Sequence, residues 1–195
     1  MNITQIKDMK LPVYLYGHPV LREKAADVPA DMEGLKDLVA AMYDAMYESE
    51  GVGLAAPQIG KSLRLVVIDG SPVGDVFPEC AGRKLTLINP EIEILDGDLV
   101  SRPEGCLSLP GISEDVKRVE HIMLRWTDEN GEKHEEEISG FLARIVQHEC
   151  DHLEGKVFTD HLSGIRKQLI KNKLLAIANG RVIPDYPYRT APRRK

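Results

Sequence analysis

Two histidines and a glutamate stand at a spacing that could bind a metal ion and activate water. His148, Glu149 and His152 lie within residues 141–155, FLARIVQHECDHLEG. At about 100° per residue, an α-helix would place all three side chains on one arc. A divalent metal held by both histidines would offset the cost of burying them, and it would leave Glu149 beside it as a base. The pattern is short, so both histidines could instead be core residues bonded to the backbone.

The segment that positions these groups is predicted to be a core-facing amphipathic helix. Ser139 can cap its start, and Gly155 can end it. The arc that holds the metal-binding pattern also carries apolar residues, namely Phe141, Leu142, Ile145, Val146 and Leu153. The opposite arc holds Ala143, Arg144, Gln147, Cys150, Asp151 and Glu154. Phe141 and Ile145 are candidate walls of a binding pocket because they lie beside His148, although they could equally be remote core.

A catalytic metal usually takes three protein ligands and leaves one position open. One common motif supplies the third ligand from a histidine six residues after the second, but Phe158 occupies that position here. His161 lies beyond the helix, and the other histidines sit in segments without a convergent motif: His18, His121 and His134. The helix therefore does not hold a complete ligand set.

Cys106 is the candidate third ligand. It stands between Gly105 and Leu107 in a predicted bend that could bring a thiolate to a metal and expose the next backbone N–H. Sulfur with two imidazoles suits zinc or ferrous iron. A plain buried thiol is the alternative.

Composition limits the class of protein. The chain has 195 residues and a net charge of -6, which argues against bulk DNA or RNA binding. Its three cysteines make a disulfide scaffold improbable at this length. Because no segment resembles a signal peptide or a membrane span, we expect a cytoplasmic protein with no membrane or DNA partner.

The predicted fold is a single α+β domain, residues 1–180, in which the central metal-binding helix packs against antiparallel sheets between an N-terminal and a C-terminal helix. Residues 181–195 are predicted to be a loose basic tail. The predicted elements are an irregular arm at 1–30, helices at 31–49 and 163–179, strands at 63–68, 85–88 and 91–95, a surface loop at 69–84, and a hairpin of 121–128 with 133–138. In the last helix, Ile165 and Leu169 are expected to belong to an apolar side, opposite the lysines.

Three motifs together resemble those of the bacterial peptide deformylases. Residues 51–58 read GVGLAAPQ, residues 104–108 read EGCLS, and residues 148–155 read HECDHLEG, which meet every specified position of the family pattern. The resemblance runs from about residue 11 to residue 178. The chain departs from the family's shorter members in the loop of residues 71–83 and in the basic tail.

The resemblance implies an enzyme that hydrolyses the formyl group from the N-terminal formyl-methionine of new polypeptides. It implies one divalent metal, ferrous iron in the cell, with zinc or nickel possible in purified protein. The implied roles are Cys106, His148 and His152 as metal ligands, Glu149 as general base, Gln58 and Leu107 as oxyanion donors, and Val52, Gly53 and Gly105 as backbone partners of the peptide.

Other functions remain open at this level. The chain could be a metallopeptidase with another third ligand, a module with structural zinc, or a cysteine protease built on Cys106. A lysine-rich face on the last helix and the basic tail could contact ribosomal RNA, or could simply be solvated; its residues are Lys167, Lys171, Lys173, Arg193, Arg194 and Lys195.

Overall fold

A mixed arrangement of short helices and antiparallel strands frames one central helix. The computed structural model describes residues 10–192. In that range the strands are β1 (Val13–Tyr14), β2 (Gly53–Ala55), β3 (Leu65–Asp69), β4 (Lys84–Ile94), β5 (Leu99–Gly105), β6 (Ser113–Val119), β7 (His121–Thr127), β8 (Lys133–Ser139) and β9 (Tyr188–Arg189). The α-helices are α1 (Leu35–Glu48), α2 (Gly140–Leu153) and α3 (Gly164–Ala178).

The main sheet has five strands in the order β2-β3-β4-β7-β8, and every neighbouring pair is antiparallel. Successive side chains of a strand point to opposite faces. Val66 and Ile68 of β3 therefore join the cluster under α2, whereas Leu65 and Val67 join the cluster under α1. Helices on both faces explain why β3 is a continuous apolar run, as predicted for a buried strand.

A smaller sheet, β5-β6, covers α2 from the side away from the main sheet. A third apolar cluster joins its Val116 to the C-terminal helix through Ile170 and Ile177. The parallel pair β1-β9 packs into the same cluster through Val13 and Tyr188. The predicted single α+β domain with antiparallel sheets is confirmed.

Several predicted boundaries shift. Helix α1 starts at Leu35 and not at residue 31, and its N-cap residue, Gly34, has a left-handed φ of 69°. The two strands predicted on either side of Asn89 form one strand with a register shift at that residue. The Asn89 side chain holds the bulge by accepting a hydrogen bond from the Val28 N–H at 2.8 Å and donating one to its carbonyl at 3.1 Å. The predicted hairpin is confirmed as β7 and β8.

Helix α2 is buried more completely than an amphipathic pattern predicts. Arg144 is 1% exposed and Gln147 is 9% exposed, although both lie on the arc opposite the histidines. That arc faces the β5-β6 sheet, and Gln147 donates to the Val119 carbonyl at 2.9 Å. Gly155 follows the helix with a φ of 67°, as expected of a terminating glycine.

The start of α2 is capped from a distant loop. Ser139 occupies the N-cap position, but its side chain makes no capping hydrogen bond. Instead, Oε1 of Glu79 accepts a hydrogen bond from the Phe141 N–H at 2.7 Å. The segment of residues 70–83, predicted to be a surface loop, folds against the helix and buries Cys80 completely.

The C-terminal region differs from its prediction in two ways. On α3, Ile165 is 77% and Leu169 is 66% exposed, so these residues do not form the packed side of the helix. Ile170 and Ile177 pack inward instead. The segment expected to be a loose tail pairs its strand β9 with β1. The basic residues 193–195 lie outside the described residues.

Among residues 10–192, no helix is both long enough and apolar enough to cross a membrane.

Candidate active site

Cys106, His148 and His152 converge at one point although they come from two separate elements. Cys106 directly follows β5, and both histidines project from α2. One donor atom of each residue lies within 4.8 Å of the other two. The Sγ of Cys106 and the Nε2 of His152 are 3.3 Å apart. The structure therefore brings together the three ligands predicted from the sequence.

Glu104 orients one of these imidazoles. Its Oε2 lies 2.9 Å from Nδ1 of His148, which directs the other ring nitrogen toward Cys106 and His152. Arg118 donates two further hydrogen bonds to Glu104, at 2.7 and 3.0 Å. Burial alone would raise the pKa of the Glu104 carboxyl, but the hydrogen bonds from His148 and Arg118 hold the pKa far below its usual value. No sequence pattern indicated this role for Glu104, although side chains two positions apart in an extended segment point to the same side.

Arg144 joins the small sheet to helix α2. Its guanidinium bonds Glu104 and Glu120 at 2.7 Å each. It also donates to the Val116 carbonyl at 2.9 Å and to the Val100 carbonyl at 2.7 Å. One side chain of α2 thus fixes both strands that precede and follow Cys106. No sequence pattern indicated this role.

Phe158 contributes packing at the position where another metal motif would have its third histidine. Its ring is 1% exposed and stacks on His148, with ring centroids 5.9 Å apart. The remaining histidines lie outside the cluster. His161 bonds Asp151 at 2.7 Å, His121 bonds the exposed Asp96, and His134 bonds the partly buried Asp128.

The donor set fits a divalent transition metal. Burial alone would raise the pKa of the Cys106 thiol, but the adjacent His152 and His148 lower the pKa to about 5. The sulfur is therefore a thiolate at neutral pH, which is the form that binds metals. A thiolate with two imidazoles matches zinc or ferrous iron.

Glu149 lies buried beside the candidate ligands, and one of its oxygens makes no hydrogen bond among the described residues. It is 5% exposed, and its Oε2 has no hydrogen-bond partner among the described residues. Nδ1 of His152 also lacks one there. Burial raises the pKa of the Glu149 carboxyl to about 7. A carboxyl with that pKa can both accept and release a proton near neutral pH.

Gln58 and Leu107 lie next to the donor cluster. The Gln58 side chain is 1% exposed, and its Oε1 accepts a hydrogen bond from the Ala55 N–H at 2.8 Å. Its amide nitrogen consequently points to Ser108 Oγ at 3.3 Å and Cys106 Sγ at 3.5 Å. Within residues 10–192, the Leu107 N–H donates to no protein acceptor. Both groups can therefore donate to an oxygen in the cavity.

A cavity of about 790 Å³ opens in front of these groups. The residues that sequence analysis proposed for substrate binding all line it, namely Val52, Gly53, Gly105, Phe141 and Ile145. Phe141 stacks on Phe77, with ring centroids 4.0 Å apart, so the loop of residues 71–83 supports this wall. Pro184, Asp185 and Tyr186 form a further part of the wall that was not predicted.

Comparison with known proteins agrees with this geometry. The polypeptide deformylase family profile matches residues 10–168. The chain is 44% identical to a peptide deformylase of Christiangramia forsetii over 188 residues, which covers 93% of this chain and 96% of the relative. It is 43% identical to the peptide deformylase of Salinibacter ruber over 187 residues, or 93% and 95% of the two chains.

Solved structures give the same result. The crystal structure of a plant peptide deformylase superposes with a TM-score of 0.80 at 36% identity, covering 93% of this chain and 98% of that one. The peptide deformylase of Thermus thermophilus superposes with a TM-score of 0.73 at 41% identity, covering 84% and 95%.

Proposed function

Because this chain belongs to the polypeptide deformylase family, we propose that Cys106, His148 and His152 hold the metal ion with which it removes the N-formyl group from nascent peptides. The observation that carries this assignment is the convergence of the three donor atoms within 4.8 Å beside a cavity. When bound, the metal supplies Lewis acidity and lowers the pKa of a water molecule. We propose ferrous iron as the physiological ion. Zinc or nickel can replace it in purified protein because both bind such sites more tightly.

Glu149 acts as the general base and acid. Its carboxylate takes a proton from the attacking water and delivers it to the nitrogen that leaves as the free α-amino group. The pKa of about 7 supports both steps at neutral pH. The absence of a partner for Oε2 among the described residues leaves this oxygen available to the water.

Gln58 and Leu107 stabilise the oxygen of the formyl group as it becomes negative. The Ala55 N–H fixes the Gln58 carboxamide with its nitrogen toward the site, and the Leu107 N–H is uncommitted among the described residues. Removal of one such donor costs about 2.7–4 kcal/mol of transition-state stabilisation in a comparable site.

The peptide binds as an added strand. β2 is an edge strand of the five-stranded sheet, and β5 belongs to the two-stranded sheet. Residues of both strands line the cavity. Main-chain groups of Val52, Gly53 and Gly105 can pair with an extended substrate. Phe141 and Ile145 supply apolar surface for the methionine side chain.

Two variants test the residue roles. Glu149→Ala should retain the metal of the wild-type enzyme and lose nearly all hydrolysis of a formyl-Met peptide. Cys106→Ser should lose metal on dialysis. The protein should be purified anaerobically and its metal measured by elemental analysis. Near-native deformylation by Glu149→Ala would reject the general base, and unchanged metal content in Cys106→Ser would reject the ligand.

A comparison of two peptides tests the proposed substrate class. A formyl-Met peptide and the acetyl-Met peptide of the same sequence differ in one methyl group at the cleaved bond. We expect cleavage of the formyl peptide only. Cleavage of both, or of internal peptide bonds, would favour a general metallopeptidase.

We also propose transient contact with the ribosome in the cytoplasm, through the exposed Lys171 and Lys173 of α3. Lys167 is less available for this contact because its Nζ donates a hydrogen bond to the Asp160 carbonyl at 2.8 Å. Arg193, Arg194 and Lys195, predicted to share this role, lie outside the described residues. The double variant Lys171→Glu, Lys173→Glu should co-sediment less with ribosomes while hydrolysing a free formyl-Met peptide normally. Unchanged co-sedimentation would contradict the contact.

A further inference from the structure

The C-terminal segment reaches the active site through Tyr186. The hydroxyl of this half-buried tyrosine donates a hydrogen bond to the Leu107 carbonyl at 2.6 Å. Pro184 and Asp185 line the same cavity. The segment thus touches the residue whose N–H is the proposed oxyanion donor.

Tyr186 itself is held firmly on its C-terminal side. The Val13 N–H bonds the Pro187 carbonyl at 2.8 Å, and the Leu15 N–H bonds the Arg189 carbonyl at 2.8 Å. The tyrosine ring packs in the apolar cluster that includes Phe158 and Ile170. The hydroxyl is therefore presented by a residue just before an anchored strand, and it can fix the position of another group.

Backbone hydrogen bonds hold the turn that contains Leu107 on both sides of that residue. The Leu109 N–H bonds the Cys106 carbonyl at 2.9 Å, and the Tyr16 N–H bonds the Ser108 carbonyl at 2.8 Å. Between them, the Leu107 carbonyl bonds only Tyr186 in the described part of the chain. The Leu107 carbonyl belongs to the Leu107–Ser108 peptide plane, and the Leu107 N–H belongs to the preceding Cys106–Leu107 plane; the two planes meet at the Leu107 Cα. Because the turn is held at Cys106 and at Ser108, rotation of the Leu107–Ser108 plane requires a compensating rotation of the preceding plane, which re-aims the N–H. The tyrosine hydroxyl opposes that rotation.

We propose that Tyr186 is a positioning residue for the deformylation reaction, which fixes the Leu107 turn so that its N–H faces the developing oxyanion. Its ring, with Pro184 and Asp185, also completes one wall of the peptide-binding cavity. This inference rests on the proposed role of Leu107. A donor that acts on the transition state affects kcat more than KM, whereas a lost wall affects substrate binding.

Tyr186→Phe removes the hydroxyl and keeps the ring. We expect kcat for a formyl-Met peptide to fall about 3- to 10-fold, with KM changed less than twofold, because one hydrogen bond is lost. Metal content and melting temperature should match those of the wild type. Tyr186→Ala should show the same fall in kcat together with a higher KM, because the wall is lost as well.

Tyr188→Phe is the matched control, since Tyr188 packs in the same cluster and its hydroxyl has no hydrogen bond among the described residues. It should have wild-type kinetics. In zinc-loaded, 15N-labelled protein, the Leu107 amide resonance should shift in Tyr186→Phe and stay in place in Tyr188→Phe. This spectrum reports the position of the turn without reference to activity.

Three results would overturn the inference. They are a wild-type kcat in Tyr186→Phe, an equal loss in both tyrosine variants, or an unmoved Leu107 resonance. These are distinguishable from failure of the proposed function, which would appear as retained activity in Glu149→Ala whatever the tyrosine variants do.

Discussion

A β-carbon on Gly53 would lie 2.5 Å from Oε1 of Glu149 and 2.8 Å from its Cδ. The backbone of β2 thus passes directly against the carboxylate proposed as the general base. Any side chain at residue 53 would have to displace Glu149. In the proposed mechanism the glycine therefore serves two purposes, since it leaves room for the general base and offers its backbone to the substrate.

Gly53→Ala should consequently reduce kcat by about 100-fold, because misplacement of a catalytic group by about 1 Å has an effect of that size. Overpacking should also lower the free energy of unfolding by about 1–3 kcal/mol. Steady-state kinetics and urea denaturation measure the two effects. Gly164→Ala is the control, since its β-carbon would meet nothing within 4 Å. A wild-type kcat in Gly53→Ala would show that Glu149 can move without loss of catalytic activity.

Arg144→Met should destabilise the fold strongly. Arg144 is 1% exposed, and its removal would take one arginine partner from both Glu104 and Glu120. Glu104 would keep only Arg118 and Glu120 only Arg102 as arginine partners among the described residues. Breaking a buried pair from one side costs about 3–5 kcal/mol. The measurement is the free energy of unfolding in urea. Arg125→Met removes an arginine that pairs with Glu93 and Glu135 at the surface, and it should change stability little. Similar losses in both variants would refute the special role of Arg144.

Glu79→Ala should weaken the start of helix α2. The variant loses the hydrogen bond from the Phe141 N–H, and loss of a helix N-cap typically costs about 1 kcal/mol. We expect the melting temperature to fall by about 3 °C. Glu91→Ala, at an exposed residue of β4, should leave it unchanged. An unaltered melting temperature in Glu79→Ala would mean that the distant cap contributes no stability.

Asp160 should make the protein sensitive to acid. Burial alone would raise the pKa of this carboxyl, but hydrogen bonds from Arg22 and the Val157 N–H hold the pKa below its ordinary value of 3.8. A lowered pKa contributes stability that is present above pH 3.8 and is lost as pH falls through the folded-state pKa. The stability difference between wild type and Asp160→Asn should therefore shrink below pH 3.8.

The test is to measure the denaturant midpoint of wild type and Asp160→Asn at several pH values between about 3 and 7. This range includes the ordinary pKa of a carboxyl group. Asp115→Asn is the control, because Asp115 is an exposed carboxylate that forms no ion pair in the described part of the chain. The stability difference between Asp115→Asn and wild type should not shrink at low pH in the same way. If the stability difference between wild type and Asp160→Asn does not change with pH, protonation of Asp160 is not linked to folding.

The sequence predicted that Cys106, His148 and His152 lie together, and the structure brings their donor atoms within 4.8 Å. The two histidines share a helical arc, which spacing alone reveals, whereas Cys106 was selected because it lies in a motif of the family that the chain resembles. Arg144 was missed for a physical reason, since a helical pattern assumes one buried side and α2 is covered on both. Glu79 was missed because its partner, the Phe141 N–H, lies 62 positions away in the chain. Nothing in local sequence reports such a contact.

The same limit explains the C-terminal segment. Residues 181–192 carry several prolines and charges, which favoured a loose tail, but pairing with β1 and the bond from Tyr186 to Leu107 are tertiary contacts. The exposure of Ile165 and Leu169 likewise depends on which face of α3 the β5-β6 sheet and β1 leave uncovered.

The pairing of β1 with β9 also sets an order of events during synthesis. Val13 emerges from the ribosome early, and Tyr188, its partner in the strand register, emerges near the end of the described chain. The first strand therefore cannot pair with β9 until residues 188 and 189 have been synthesised. The Tyr186 contact with the Leu107 turn likewise requires nearly all of the described chain. An enzyme that acts on nascent peptides can thus complete this wall of its own proposed active site only when its own synthesis is nearly finished.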